Sequence, residues 1–406
     1  MILEQSLTDL EHALPGSLQV LRLAAAIPPD TIPWPWLEEL TKRTNPEVFE
    51  PTPQFLKGRW TRIRRTLEGR DLITEGRHPG TTGRMHRLVV DHLKTHNPPE
   101  TDLVTKFIIH RAQKLGTDFT QAPELWEIDS ITDALPDILT RKPELLEQVP
   151  DFIRHVALRY ATDIRIAVML QNLTQQISGT SARTSFLAHT LLGDALQNTD
   201  PAQARESYQR SLAITRYLAE IWPEDLQPRR DFTVALINVA GMLKHSDPGQ
   251  ALELYRDSLG IRRELAERLS GDFQARRDLT IALNNVAGML KHSDPGQALE
   301  LYRESLGVRR ELTSRLPGNL QALWDLGVSA ARLAQLLSTK DPERIPLWRE
   351  AAISFRDALA IQPEHRELGR MSCHAALDYA DCDPDDRDEW LAYAAELAER
   401  FGFGKQ

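Results

Sequence analysis

Of the twelve histidines in this chain, the set best placed for chemistry is His86, His92 and His96, with Asp91 among them. His92 and His96 stand four apart, which on a helix puts two imidazoles on one face, as zinc requires. A metal centre needs a third and a fourth ligand, and no HExxH or CxxC motif supplies them. The expected reading is the polar end of a helix, with no metal. Cys373 and Cys382 are the two cysteines, and neither sits in a recognisable nucleophile motif. They make no disulfide framework, so a reducing, cytoplasmic setting fits. Asp383, Asp385, Asp386 and Asp388 crowd into one local run, too close for the separated carboxylates of a glycosidase. They read as solvated groups capping the last helix. There is no GxSxG and no GxxxxGK[ST]; "GTTGR" at 80–84 lacks the lysine, the length and the strand-to-helix context of a phosphate-binding loop. No catalytic residue and no cofactor are expected, and the chain is not expected to be an enzyme.

What remains is the chemistry of recognition. Between Phe55 and Arg87 lie nine Lys or Arg against three Asp or Glu, a local +6 in a chain of net charge −9. Arg59, Arg62, Arg64 and Arg65 fall on "FLKGRWTRIRRTLEGRDLI", an amphipathic helix with Phe55, Leu56, Trp60, Ile63 and Leu67 on its apolar face. Leu72-Ile73 and Met85 could pair as strands around "GRHPGTTGR", which carries Arg77, His78 and Arg84. Helices followed by a small hairpin suggest a winged helix-turn-helix. The arginines could then contact DNA phosphates, or form a basic face docked on an acidic neighbour. Trp60 and Ile63 suit burial better than base reading.

The positioning elements come from repetition. "NVAGMLKHSDPGQALELYR" occurs twice, at 238–256 and 285–303, and residues 229–275 match 276–322 at 37 of 47 positions. Asp200-Pro201, Asp247-Pro248, Asp294-Pro295 and Asp341-Pro342 keep the same period, as do Tyr208, Tyr255 and Tyr302. Such a period means a solenoid of stacked units: about 182–228, 229–275, 276–322 and 323–369, with a cap at 370–404. Each unit reads as two helices. In the third, the first covers about 278–291, with Leu279, Leu283, Val286, Ala287 and Leu290 on one face. Ser293-Asp294-Pro295 stops it and starts the second, about 296–316.

These features resemble a tetratricopeptide repeat, carried by Leu283, Val286, Ala287, Leu290, Ala298, Tyr302 and Ser305. The period of 47 exceeds the family's roughly 34, and the surplus lengthens both helices. The resemblance covers about half of the chain. It implies a right-handed α-solenoid whose first helices line a groove. The inward positions would be Val234, Ile237, Gly241, Lys244 and His245, then Ile281, Asn284, Gly288, Lys291 and His292. A glycine centre flanked by Lys-His in successive units could hold an acidic or extended peptide. The plainer account is a solvated helix end copied by duplication.

Near the front, "AAAIPPDTIP", the helix ending before "DLI", and "RMHRLVVDHL" resemble the winged-helix domain of signal-transduction ATPases with numerous domains, the STAND family. There this domain follows a nucleotide-binding module and precedes a repeat sensor. The resemblance maps a Met-His-Asp-type motif onto Met85-His86-Arg87, and implies that His86 would contact a nucleotide's β-phosphate. Arg87 replaces the usual acid. With no P-loop and nothing before residue 15 able to form that module, the chain is expected to be a C-terminal half or a relative without a motor. A separate P-loop ATPase chain is then an expected partner.

The expected architecture is all-α: a winged-helix domain at 1–97, a helical connector at 98–181 and the repeat array at 182–406. No run of about eighteen apolar residues suggests a membrane span, and the start shows no signal peptide. The expected function is non-catalytic protein recognition, as a sensor in a STAND-type signalling or defence system. The alternative is a DNA-binding regulator with a repeat sensor.

Overall fold

In a computed structural model the chain is described over residues 2–52, 54–55, 58–117, 124–159, 164–176 and 181–403. It divides into two compact units, Met1–Ala204 and Arg205–Gln406.

The first unit opens with α1 (Ile2–Ala13), α2 (Ser17–Ala24), β1 (Ile32–Pro33), α3 (Trp34–Thr44), α4 (Trp60–Gly69), β2 (Ile73–Glu75), β3 (Thr82–Met85) and α5 (Arg87–His96). The three strands form an antiparallel sheet in the order β1-β3-β2, with Ile32 opposite Gly83 and Ile73 opposite Met85. The β2–β3 hairpin is the one expected. β1 was not foreseen in its Pro-rich turn; as an edge strand it tolerates Pro33. Gly83 is needed in β3, since a Cβ there would lie 2.3 Å from the Ile73 side chain. Trp36, Leu37, Leu40, Ile63, Leu67, Ile73 and Met85 are buried beneath these elements.

The helix expected from Phe55 begins instead at Trp60. Gly58, at φ +78, turns the chain where a Cβ would stand 2.6 Å from the Phe49 carbonyl oxygen. Phe55 pairs with Thr52 in an isolated bridge, and Leu56 lies outside the described residues. Trp60 stacks on Phe49 and meets Trp34 edge-on.

Then follow α6 (Thr101–Thr117), α7 (Leu125–Arg141), α8 (Pro150–Arg159), α9 (Ile164–Gln176) and α10 (Ala182–Leu196). α8 packs on α6 and α10, and α9 on α7 and α10. Glu127 of α7 is buried, yet Arg111 of α6 donates to it at 2.5 Å and the Trp36 indole at 3.3 Å. A buried carboxylate needs such partners.

The second unit takes α11 (Pro201–Ile221) from Arg205 onward, then α12 (Leu226–Leu243), α13 (Pro248–Arg268), α14 (Phe273–Leu290) and α15 (Pro295–Arg315). It continues through α16 (Leu320–Leu336), α17 (Arg344–Ile361), α18 (Arg366–Cys382) and α19 (Arg387–Phe401). Local chemistry sets these ends. Asp247 and Asp294 each accept from the backbone N–H three residues on, at 3.0 Å, with proline in the first turn. α14 starts five residues before the expected 278, because Asp272 caps it through the Ala275 N–H at 2.6 Å.

From α12 to α19 each helix packs against the next. First helices are tied sideways: Arg230 of α12 to Asp278 of α14 at 3.0 Å, and Arg277 of α14 to Asp325 of α16 at 2.6 Å. Second helices are tied by Arg263–Glu304 at 2.7 Å and Arg310–Glu350 at 2.8 Å. The result is a two-layered α-solenoid of tetratricopeptide-like pairs. Leu283, Val286, Ala287, Leu290, Ala298, Tyr302 and Ser305 are all buried in it, as the stacking pattern requires.

Candidate functional site

The first-helix stripe has a half-buried start and an exposed end. Val234 and Ile237 on α12, and Ile281 and Asn284 on α14, are half-buried. Gly241 is exposed and Gly288 half-buried; a Cβ would lie 3.8 Å from the Tyr255 hydroxyl at the first and 3.6 Å from that of Tyr302 at the second. Both tyrosines have their phenol pKa pushed up by burial. The Asn284 side-chain oxygen is buried without a hydrogen-bond partner. Lys244, His245, Lys291 and His292 are exposed at the helix ends and take no part in any ion pair among the described residues. Lys244 and Lys291 are the C-caps of α12 and α14, where a cation favours the helix dipole. One unit on, the corresponding positions are Val328, Ala331, Gln335, Ser338 and Thr339, so the Lys-His feature is confined to two levels.

A second constellation escaped the reading of the sequence. Arg262 of α13 is only 4% exposed. It donates through Nε to the Thr233 hydroxyl at 3.0 Å and through Nη1 to the Asp278 carbonyl at 2.7 Å. Burial pushes its pKa down to about 10. Arg309 repeats the arrangement with the Thr280 hydroxyl at 3.2 Å and the Asp325 carbonyl. Ser258 and Ser305 donate to the Thr233 and Thr280 carbonyls at 3.3 and 3.4 Å. The signal was present: arginine, serine and threonine recur at the 47-residue period inside otherwise apolar surfaces.

Clefts in the second unit occur at the other ends of these helices from Lys244 and Lys291. One, of about 470 Å³, is lined by Glu224, Asp225, Gln227, Arg230, Arg262 and Asp278 over Leu265, Leu269 and Ala275. Another, of about 500 Å³, runs between α11 and α13, with Phe232 and Ile261 among its walls. Neither is centred on the predicted stripe. Beside them, Tyr217 and Ile221 of α11 and Trp222 just after it are exposed.

In the first unit the basic residues divide. Arg77 lies 3.5 Å from Asp133, and His78 Nε2 lies 2.8 Å from Asp129. Arg165 of α9 binds both carboxylates, and the Thr31 hydroxyl donates to Asp133 at 2.9 Å. The hairpin is thus docked on α7. Arg64 pairs with Glu68 at 3.0 Å, donates to the Gly80 carbonyl and covers the Trp34 ring. Arg59 donates to the Glu47 carbonyl, at 3.2 Å. Arg62 lies over Phe55, while Arg65 and Arg84 are exposed and have no ion pair among the described residues.

His86 is exposed and caps α5, its Nδ1 accepting from the Leu88 N–H at 3.2 Å. The His92 and His96 rings stack at 4.4 Å. Among the described residues no group of three or more His, Cys, Asp or Glu could hold a metal. Burial raises the pKa of both cysteine thiols, which keeps them protonated. No described helix is long and apolar enough to cross a membrane.

No protein-family model matches the chain, and no curated protein matches it. Among solved structures it is similar to a signal transduction ATPase with numerous domains carrying a tetratricopeptide repeat sensor, from Pyrococcus horikoshii. The identity is 12% and the TM-score 0.39, over 98% of this chain and 59% of that one, so it spans less than two thirds of that protein. A human IFIT1 dimer with PPP-AAAA aligns at 15% identity and a TM-score of 0.27, over 74% of this chain and 72% of that one. A circular tandem repeat protein with novel repeat topology aligns at 16% identity and a TM-score of 0.26, over 99% and 83%.

Proposed function

We propose that the repeat array is a non-catalytic recognition surface for an acidic protein or peptide segment, and that the chain is the sensor arm of a STAND-type signalling or defence system. One observation carries the recognition reading. Arg230, Arg263, Arg277 and Arg310 are spent on ties within the array. Lys244, His245, Lys291 and His292, by contrast, stand exposed with no counter-ion among the described residues, one repeat apart. Two equal cationic points on a rigid scaffold suit a partner that presents acidic groups at matching spacing.

The helix–strand–helix–helix–hairpin order with sheet order β1-β3-β2 supports reading the front of the first unit as a winged helix. His86 is exposed beside it, available to a nucleotide on a separate P-loop chain. The partner in the array would shift the equilibrium of whatever the winged helix restrains.

The test is affinity capture from the native host with wild-type protein and a Lys244→Glu/His245→Glu/Lys291→Glu/His292→Glu variant of unchanged circular dichroism. A protein retained by the first and lost by the second supports the reading. Equal recovery by both removes its basis.

A second reading is DNA binding. Arg62, Arg65 and Arg84, exposed and without a carboxylate partner among the described residues, favour it. Salt-sensitive retardation of a duplex that disappears in Arg62→Ala/Arg65→Ala/Arg84→Ala would support it.

A further inference from the structure

The cleft between the start of α12, the end of α13 and the start of α14 holds a buried guanidinium that Asp278 acts on through its charge, but to which no carboxylate is hydrogen-bonded among the described residues. Arg262 is 4% exposed, lines the cleft and, among the described residues, bonds to neutral acceptors, a threonine hydroxyl and a carbonyl. No carboxylate pairs with it among the described residues. The nearest candidate, Asp278, is already held by Arg230 at 3.0 Å and Gln274 at 2.8 Å. A buried guanidinium without an anion is costly, and a carboxylate is its best geometric match.

The rest of the lining limits what that anion can be. Leu265 and Ala275 are buried walls, joined by Leu226 and Leu269. Glu224, which Arg268 contacts at 3.2 Å, and Asp225, which caps α12 through one carboxylate oxygen, are exposed and stand at the mouth, each with an oxygen to spare. The lining therefore carries Arg262 and the half-buried Arg230–Asp278 pair within, apolar walls beside them, and two further carboxylates at its exposed edge. The volume of about 470 Å³ falls in the small-molecule range.

We propose that this cleft binds a free α-amino acid with an apolar side chain. Its carboxylate pairs with Arg262, its side chain lies on Leu265 and Leu269, and its ammonium faces Glu224 and Asp225. The internal repeat provides a comparison. Arg309 keeps the threonine and carbonyl ties, but Gly271 stands where Glu224 would be. Arg356, the next equivalent, lies over the Trp390 ring at 5.0 Å. The ties to threonine are common structure; a mouth with two acids belongs to the Arg262 level.

Calorimetry and thermal shift on the full chain test this with three probes: L-leucine, 4-methylpentanoate, which lacks the ammonium, and L-leucinamide, which lacks the carboxylate. Saturable one-to-one binding of L-leucine is expected, about tenfold weaker binding of 4-methylpentanoate, and none of L-leucinamide. Arg230→Gln, which frees Asp278 to compete for Arg262, should weaken L-leucine about tenfold, and Leu269→Trp, which fills the cleft and leaves Arg262 in place, should abolish binding. No saturable signal with L-leucine up to about 10 mM overturns the proposal. So does undiminished binding in Leu269→Trp, or equal affinity for all three probes. These variants leave Lys244, His245, Lys291 and His292 untouched, so the outcome is independent of the peptide reading.

Discussion

At the scale of single residues, Gly241 and Gly288 separate folding from recognition. Each sits inside a helix, where glycine costs about 0.5–1 kcal/mol relative to alanine. A Cβ would meet only a tyrosine hydroxyl, at 3.8 and 3.6 Å, which is ordinary contact. Gly241→Ala/Gly288→Ala should therefore raise stability by roughly 1–2 kcal/mol in urea titration. If partner backbone approaches these points, the same variant should bind the captured protein less well; lower stability would mean that the space is not open. Thr233 is the opposite case. Thr233→Val keeps the shape but leaves the buried Arg262 Nε without its acceptor. The expected cost is about 1–3 kcal/mol, read as a lower urea midpoint with unchanged slope.

At the scale of elements, the β2–β3 hairpin and α7 form a lock that the two-sided charge pattern holds. Burial of Asp129 resists its ionisation, but hydrogen bonds from Arg165 and His78 and the nearby Arg77 together outweigh it, so its pKa lies below the ordinary 3.8. A carboxylate depressed in the folded state stabilises above its unfolded pKa, and that contribution drains away as pH falls through the folded value. The lock should hold at neutral pH and weaken below about pH 4. Asp129→Asn should cost about 1–3 kcal/mol at pH 7 and less at pH 3. Hydrogen exchange should quicken at the hairpin amides of Gly76 and Thr82, which bond within it, and stay unchanged in α13 and α15. Equal effects at both pH values would show that the carboxylate charge is not what matters. Elements whose ends are set by neighbours in sequence were legible: Asp247, Asp294 and their prolines announce α13 and α15. Elements set from afar were not. β1 exists because β3 pairs with it, and α4 starts at Trp60 because Gly58 must turn against Phe49. The clefts were illegible for the same reason, since three helices must meet to make one. The docking of Arg77 and His78 was open to two readings until α7 supplied Asp129 and Asp133.

At the scale of the whole molecule, the array is additive, and the duplication makes that testable without designing a junction. Excising residues 248–294 joins Asp247 to Pro295, a join with the same flanking sequence as the native one. α15 would then pack on α12 through Leu236, Val239, Ala240 and Leu243, which stand in register with Leu283, Val286, Ala287 and Leu290 of α14. The ties would be regenerated as well. Arg230 would face Asp325 as Arg277 does, and Arg309 would find the Thr233 hydroxyl in place of that of Thr280. Stability in a solenoid is a sum of unit and nearest-neighbour terms, so the shortened chain should remain folded, with a lower urea midpoint and unchanged helicity per residue. Removing α13 alone should instead leave apolar faces of α12 and α14 unmatched and give an aggregating chain. The shortened protein also keeps one Lys-His end of two. If the partner spans both, its affinity should fall by about 10²-fold or more, the loss expected when a two-point contact becomes single. Unchanged affinity in a folded, shortened chain would confine recognition to one level of the array, and the repeated "KHSDPGQ" loops would then be a product of duplication alone.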